Sequence, residues 1–138
     1  MIYTTGKVEH LIQIARKVSQ SKVKGLNPAM FLKYMISGIQ KKSVTVLVAL
    51  KSKDAKKILG ATVFSIIQPD EKVAIWIDFT WINPKGKDLG LEFLKAVGDI
   101  GKGLGITRIQ GRMARNSRAA EKKYGFKEIY KVVEKIIG

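Results

Sequence analysis

The sequence predicts one α/β (α+β) domain, a mixed central sheet flanked by helices, with elements in the order ααβββαβαβ. Three observations point there. The chain has 138 residues, 46% of them hydrophobic, with no repeat, low-complexity tract or linker. That length buries roughly two thirds of the unfolded surface in a single core. Apolar residues recur at helical spacing as far as Ile39, then change to β-branched runs. Three such runs follow one another with short polar connections before a helical pattern returns.

Val8, Leu11, Ile12, Ala15 and Val18 mark an amphipathic first helix, which KVKGLNP interrupts. Asn27 suits an N-cap and Pro28 a first helical position. A second helix follows, with Phe31, Tyr34, Met35 and Ile39 on one face. SVTVLVAL, from Ser43, reads as a strand buried on both faces. KSKDAKK leads to a second strand, ILGATVFSII, and the Gln68-Pro69-Asp70-Glu71 turn to a third, KVAIWIDFTWI. These three form an antiparallel meander. Leu89, Phe93, Leu94 and Val97 return to helical spacing, with Gly101, Gly103 and Gly105 as the stop. ITRIQGRM is a fourth strand and NSRAAEKKYG a short helix opened by an Asn cap. In FKEIYKVVEKII the apolar residues Phe126, Ile129, Val132 and Ile136 also suit a helix, but it is read as a final strand because Ile, Tyr and Val dominate it. A small extra strand is expected at residues 2–5.

Composition excludes several chemistries. There is no cysteine and one histidine, His10. Disulfides, thiolate nucleophiles and Cys-based metal sites are therefore out, and a multi-histidine zinc site or Ser-His-Asp triad is not expected. No apolar run approaches the ~20 residues of a membrane span. MIYTTGKVEH lacks the apolar block of a signal peptide, so a soluble, cytoplasmic protein is expected. Twenty-six Lys and Arg against eleven Asp and Glu leave +15. That excess favours an anionic partner such as nucleic acid, a phosphorylated ligand or an acidic protein. The same charge also serves solubility. Ten basic residues lie between Lys102 and Lys135, against Glu121, Glu128 and Glu134.

Asp78 stands out within its strand. Alternation places Trp76, Asp78, Thr80 and Ile82 on one face and Ile77, Phe79 and Trp81 on the other. A carboxylate in so apolar a strand needs a paired charge or a wet cleft. A salt bridge and a catalytic role both satisfy that condition.

Further along, Ile82-Asn83-Pro84 leads into Lys85-Gly86-Lys87-Asp88-Leu89-Gly90 at a helix start, and Asn116-Ser117-Arg118-Ala119 precedes Tyr124-Gly125-Phe126. Glycines let backbone approach a phosphate, and N–H groups at a helix N-terminus attract the anion. Gly101-Lys102-Gly103-Leu104-Gly105 looks similar, but it follows a helix and precedes a strand, so helix termination explains it. With the element order, these stretches resemble the GNAT superfamily of acyl-CoA N-acyltransferases. By order the likeness covers nearly the whole chain; by motif it covers residues 73–126. Lys85 matches the basic residue of the family loop, Gly86 a glycine often beside it, and Gly90 its last small residue. Asp88 stands where the middle glycine belongs. Asn116 and Ala119 keep the family spacing, whereas Glu121 and Lys122 stand where its tyrosine is usual.

The resemblance implies a GNAT-like sheet splayed near Ile82 and Met113, with acetyl-CoA or another acyl-CoA as donor and an amine as acceptor. It places the CoA pyrophosphate against Lys85, Gly86, Lys87, Asp88, Leu89 and Gly90, and the pantetheine arm near Ile82, Asn83 and Asn116. Asp78 becomes the general base, a backbone N–H near Ile82 or Asn83 the oxyanion donor, and Tyr124 the nearest candidate acid. The alternatives are a helix-end tyrosine packed on the sheet and a helix start of purely structural purpose. The rival reading of the whole chain is a non-catalytic GNAT-fold protein binding nucleic acid or another polyanion. Compact lysine-rich GNAT-like chains of this kind resemble some encoded by phages. Arg108, Arg112, Arg115, Arg118, Lys122 and Lys123 are expected to form the basic face, around the acceptor side of the site.

Overall fold

The computed structural model describes residues 1–20, 26–83, 88–112, 127–129 and 132–137, with residues 112, 127–129 and 132–135 described by backbone only. The elements are β1 (Ile2–Thr4), α1 (Val8–Gln20), α2 (Pro28–Gln40), β2 (Val44–Ala49), β3 (Gly60–Ile67), β4 (Ala74–Ile82), α3 (Leu89–Gly103), β5 (Arg108–Arg112), β6 (Lys127–Ile129) and β7 (Val132–Ile136). They form one seven-stranded sheet in the order β1-β2-β3-β4-β5-β7-β6. β1 through β4 are antiparallel neighbours, as the three apolar runs and the small N-terminal strand predict. β4 and β5 run parallel, with α3 as the crossover.

Helices cover both faces. α1 and α2 pack Leu11, Ile14, Phe31 and Met35 on Val46, Val48, Val63 and Phe79. On the opposite face α3 packs Phe93 and Val97 on Leu47, Phe64, Ile75 and Ile109. β2 feeds both clusters, which is why its sequence is apolar without alternation. Asn27 caps α2 by accepting a hydrogen bond from the Met30 N–H at 3.1 Å.

Three expectations need correction. The face of α1 that goes inside carries His10, Leu11, Ile14, Ala15 and Val18, while Val8 and Ile12 stay exposed. His10 can enter because it is fully partnered. Its Nε2 lies 3.2 Å from the Ala55 carbonyl and its Nδ1 2.7 Å from the Thr5 hydroxyl. That pattern fits an Nε2–H tautomer, with the Thr5 O–H donating to Nδ1. Second, α3 runs through Gly101 and Gly103, and only Gly105 takes a left-handed turn, at φ 74. Gly101 serves packing instead, since a Cβ there would lie 2.9 Å from Ile75 Cδ1. Third, the final apolar run is two antiparallel strands, β6 and β7, rather than one. The same β-branched content serves either arrangement, and pairing of β7 with β5 selects this one. The short helix expected at residues 116–125 lies outside the described residues.

Candidate active site

The site begins with the way β4 meets its two neighbours. Toward β5 the register runs Ile75 to Ile109, Trp76 to Gln110 and Ile77 to Gly111, and there the described pairing ends. β4 continues for five more residues, to Ile82. Among the described residues β4 has no β5 partner from Asp78 onward, the edge at which the splay is expected. Met113, the other expected edge, lies outside them.

Toward β3 the ladder slips. Val63 pairs with Phe79 and Phe64 with Ile77, so Asp78 is the extra residue of a β-bulge. The bulge overturns the simple alternation. Phe79 and Trp81 join the α1–α2 face, whereas Ile77 and Ile82 join the α3 face. Thr80 follows Ile82, its hydroxyl 2.8 Å from that of Thr62. Asp78 therefore does not share a face with Thr80 and Ile82. It turns toward α2, where the Tyr34 O–H donates to Oδ2 at 2.9 Å.

Asp78 is half-buried, and burial pushes its carboxyl from 3.8 up to about 6. The Tyr34 hydrogen bond and the nearby Ser65 hydroxyl pull against that rise without cancelling it. Burial also raises the Tyr34 phenol, which Ser65 opposes and the Asp78 charge reinforces. The phenol thus keeps its proton and remains a donor. Among the described residues no Lys or Arg forms an ion pair with Asp78; the pair found is Arg108 with Asp70 at 3.0 Å. Around the carboxylate the wall is aromatic. Tyr34 packs 5.8 Å from Phe31, and Phe31 5.9 Å from Phe79. Lys17 on α1 holds its Nζ 4.3 Å from the Trp81 ring centroid, a cation–π contact.

Backbone donors divide by the same ladder. The Asn83 N–H donates to the Leu59 carbonyl at 2.9 Å, so it is not available to an oxyanion. Alternation along an antiparallel strand then turns the Ile82 N–H away from β3, toward the splay. Of the two donors expected from sequence, Ile82 has the right direction.

At the far side of the opening stands α3. Asp88 precedes it in a left-handed conformation, φ 63 and ψ 4, exposed and without a side-chain cap hydrogen bond. Such a backbone is why a glycine suits this position. With no side-chain cap from Asp88, the N–H groups of the first turn, at Leu89, Gly90 and Leu91, are left for another acceptor. Lys85, Gly86, Lys87, Asn116, Tyr124, Arg115, Arg118, Lys122 and Lys123 lie outside the described residues, and Arg112 is described by backbone only. Arg108 is not beside the site. It opens β5 next to the start of β4, at the opposite end of the sheet from Ile82, and is paired with Asp70. The basic face expected around the acceptor side does not extend to it.

Tyr34 is the residue at this site that the sequence does not single out. It was assigned to the apolar face of α2, and the available signal was a hydroxyl in that stripe, which needs a partner once its ring is packed. Among the described residues no group of acidic or histidine side chains could hold a metal ion. No helix among them is long and apolar enough to cross a membrane.

No protein-family model matches the chain, and no curated protein matches it in sequence. Solved structures do match in shape. A protein of Desulfovibrio desulfuricans described as a GNAT-family acetyltransferase superposes with a TM-score of 0.73 at 10% identity, covering 100% of both chains. A Clostridium acetobutylicum protein described as an acetyltransferase, solved with acetyl-CoA, gives 0.72 at 14% identity over 95% of this chain and 93% of that one. The PaiA N-acetyltransferase of Thermoplasma acidophilum, solved with coenzyme A, gives 0.68 at 17% identity over 99% of each. With a parallel β4–β5 pair and helices on both faces of the sheet, the chain has the GNAT fold.

Proposed function

We propose that the protein transfers an acyl group from acyl-CoA to an amine within a ternary complex. The observation that carries this reading is Asp78. It is a half-buried carboxylate raised to about 6, lacking a cationic partner among the described residues, one residue past the last described β4–β5 pair. A structural ion pair would hold the carboxyl low, and an unpaired one that is raised suits a base near neutral pH. Similarity to structures solved with acetyl-CoA and coenzyme A supports acyl-CoA as donor substrate.

In this mechanism the acceptor arrives as an ammonium and gives one proton to Asp78, directly or through water. The freed nitrogen attacks the thioester carbon, the carbon–sulfur bond breaks as the nitrogen sheds its second proton to water, and the thiolate takes a proton from Tyr124 or solvent. Proton removal by a placed base is worth about 10²–10⁴ in rate. Negative charge on the carbonyl oxygen is received by the Ile82 N–H, a type of contact worth about 10²–10³. Leu89 and Gly90 offer backbone N–H groups to the pyrophosphate, with Gly86 allowing close approach and Lys85 and Lys87 adding charge; Asn83 and Asn116 line the arm.

Calorimetry with acetyl-CoA tests the donor. Heat and a thermal shift are expected, and Lys85→Ala with Lys87→Ala should weaken binding more at low salt than at high salt. Well-folded protein that gives neither signal with millimolar acetyl-CoA would favour the rival, a polyanion-binding protein on this scaffold. The +15 charge supports that second reading. It requires duplex DNA or tRNA binding that weakens steeply as salt rises, and flat salt dependence would remove it.

A further inference from the structure

We propose that Tyr34 is a positioning residue for Asp78, its phenol O–H tying Oδ2 in place so that the carboxylate is held toward the opening to receive the proton. The inference rests on the reading of Asp78 as general base. It comes from the contacts that meet at the bulge. Alternation from Ile75 and Ile77, which lie on the α3 face, turns Asp78 toward α2, and the bulge brings Phe79 to that same face beside it. There Oδ2 lies 2.9 Å from the Tyr34 hydroxyl. On β3 the Ser65 hydroxyl is a second hydrogen-bonding neighbour of the carboxylate. Tyr34 is itself held by its ring against Phe31, which is anchored on Phe79, the residue after Asp78. The same stretch of β4 thus supplies both the carboxylate and the support of its partner.

A hydrogen bond of this kind does two things. It fixes a carboxylate that would otherwise rotate between rotamers in the opening. It also favours the ionised form, keeping the base from being protonated outright by its burial. The charged groups on the surrounding elements are Lys17 on α1, held over Trp81, and Lys33 on α2, exposed beside Tyr34. On β5, Arg112 stands one step past the Ile77–Gly111 pair. All three are the same in a Tyr34→Phe protein, so a difference between the two proteins reports the lost hydroxyl.

The test is a carboxyl-carbon NMR titration of Asp78 in the native protein and in Tyr34→Phe, with kcat and KM measured against pH in parallel. The hydroxyl favours the ionised carboxylate, so its loss should raise the Asp78 midpoint by about one pH unit. The acid limb of kcat should move up with it, with KM for acyl-CoA unchanged. A Tyr34→Phe protein that folds normally but keeps the Asp78 midpoint overturns the proposal, whatever the activity. A midpoint that moves while the acid limb of an active enzyme stays still overturns it too, because Asp78 is then not the base. Absence of turnover in the native protein is a separate result, which sinks the acyl-transfer reading and the catalytic role of the pair with it. Trp81→Phe, which leaves the phenol in place, should keep the midpoint and serves as the control for general disturbance of this wall.

Discussion

Replacing Asp78 by Asn separates the two explanations of this residue by their opposite effects on stability. Asp78 rises from 3.8 to about 6 on folding, chiefly through burial. Between those values the native state holds a proton that the unfolded state has released. Stability therefore falls as pH rises through about 4 to 6, and above that window the folded protein carries the full cost of an ionised buried carboxylate. At complete burial a rise of that size would correspond to about 3 kcal/mol. Because the residue is half-buried, solvent screening reduces this to about 1–2 kcal/mol. Asparagine is nearly isosteric, keeps an oxygen to accept from Tyr34, and carries no charge. Asp78→Asn should thus stabilise the protein by about 1–2 kcal/mol at pH 8, or roughly 3–6 °C in Tm for a chain of this size. At pH 4 the two proteins should match within about 0.5 kcal/mol. Turnover should fall about 10²–10⁴-fold with little change in acyl-CoA affinity. Urea denaturation at pH 4, 6 and 8 with steady-state kinetics provides the comparison. An Asn protein less stable than the native one at pH 8, with the deficit vanishing at pH 4, would refute the reasoning. It would mean that a cation favours the carboxylate and that Asp78 is structural.

The remaining predictions concern backbone positions. Asp88→Gly should remove the cost of a non-glycine left-handed residue and stabilise the fold by about 0.5–1 kcal/mol in urea denaturation. It should also tighten CoA binding in calorimetry, by removing a negative charge from the start of α3. Gly60→Ala should destabilise by about 1–3 kcal/mol, because its Cβ would stand 2.9 Å from Phe93 Cε2 and 3.2 Å from the Trp81 carbonyl. A Gly60→Ala protein of native stability would show that Phe93 and α3 move aside freely.

Periodicity alone determined most of the architecture: two helices, an antiparallel meander, a crossover helix and a return to strand. Those patterns are local, since a buried helix face or strand must repeat its apolar residues at the period of its own backbone. The Asn27 cap and the doubly buried β2 belong to the same class of signal. Residues 82–90 pointed to the start of α3, whereas the left-handed backbone of Asp88 emerged only in the structure. Tertiary pairing decided the rest. A bulge arises from how two strands fit, so no count along β4 could reveal that Asp78 and Phe79 face the same way. The same holds for Tyr34, separated from Asp78 by 44 residues and joined to it only by the packing of α2 on the sheet. Arg108 and Arg112 read alike in sequence, yet the parallel register sets Arg108 at the far end of the sheet with Asp70. The Asn83 N–H is spent on Leu59 for the same reason: which donors remain for chemistry depends on which strands have already claimed theirs.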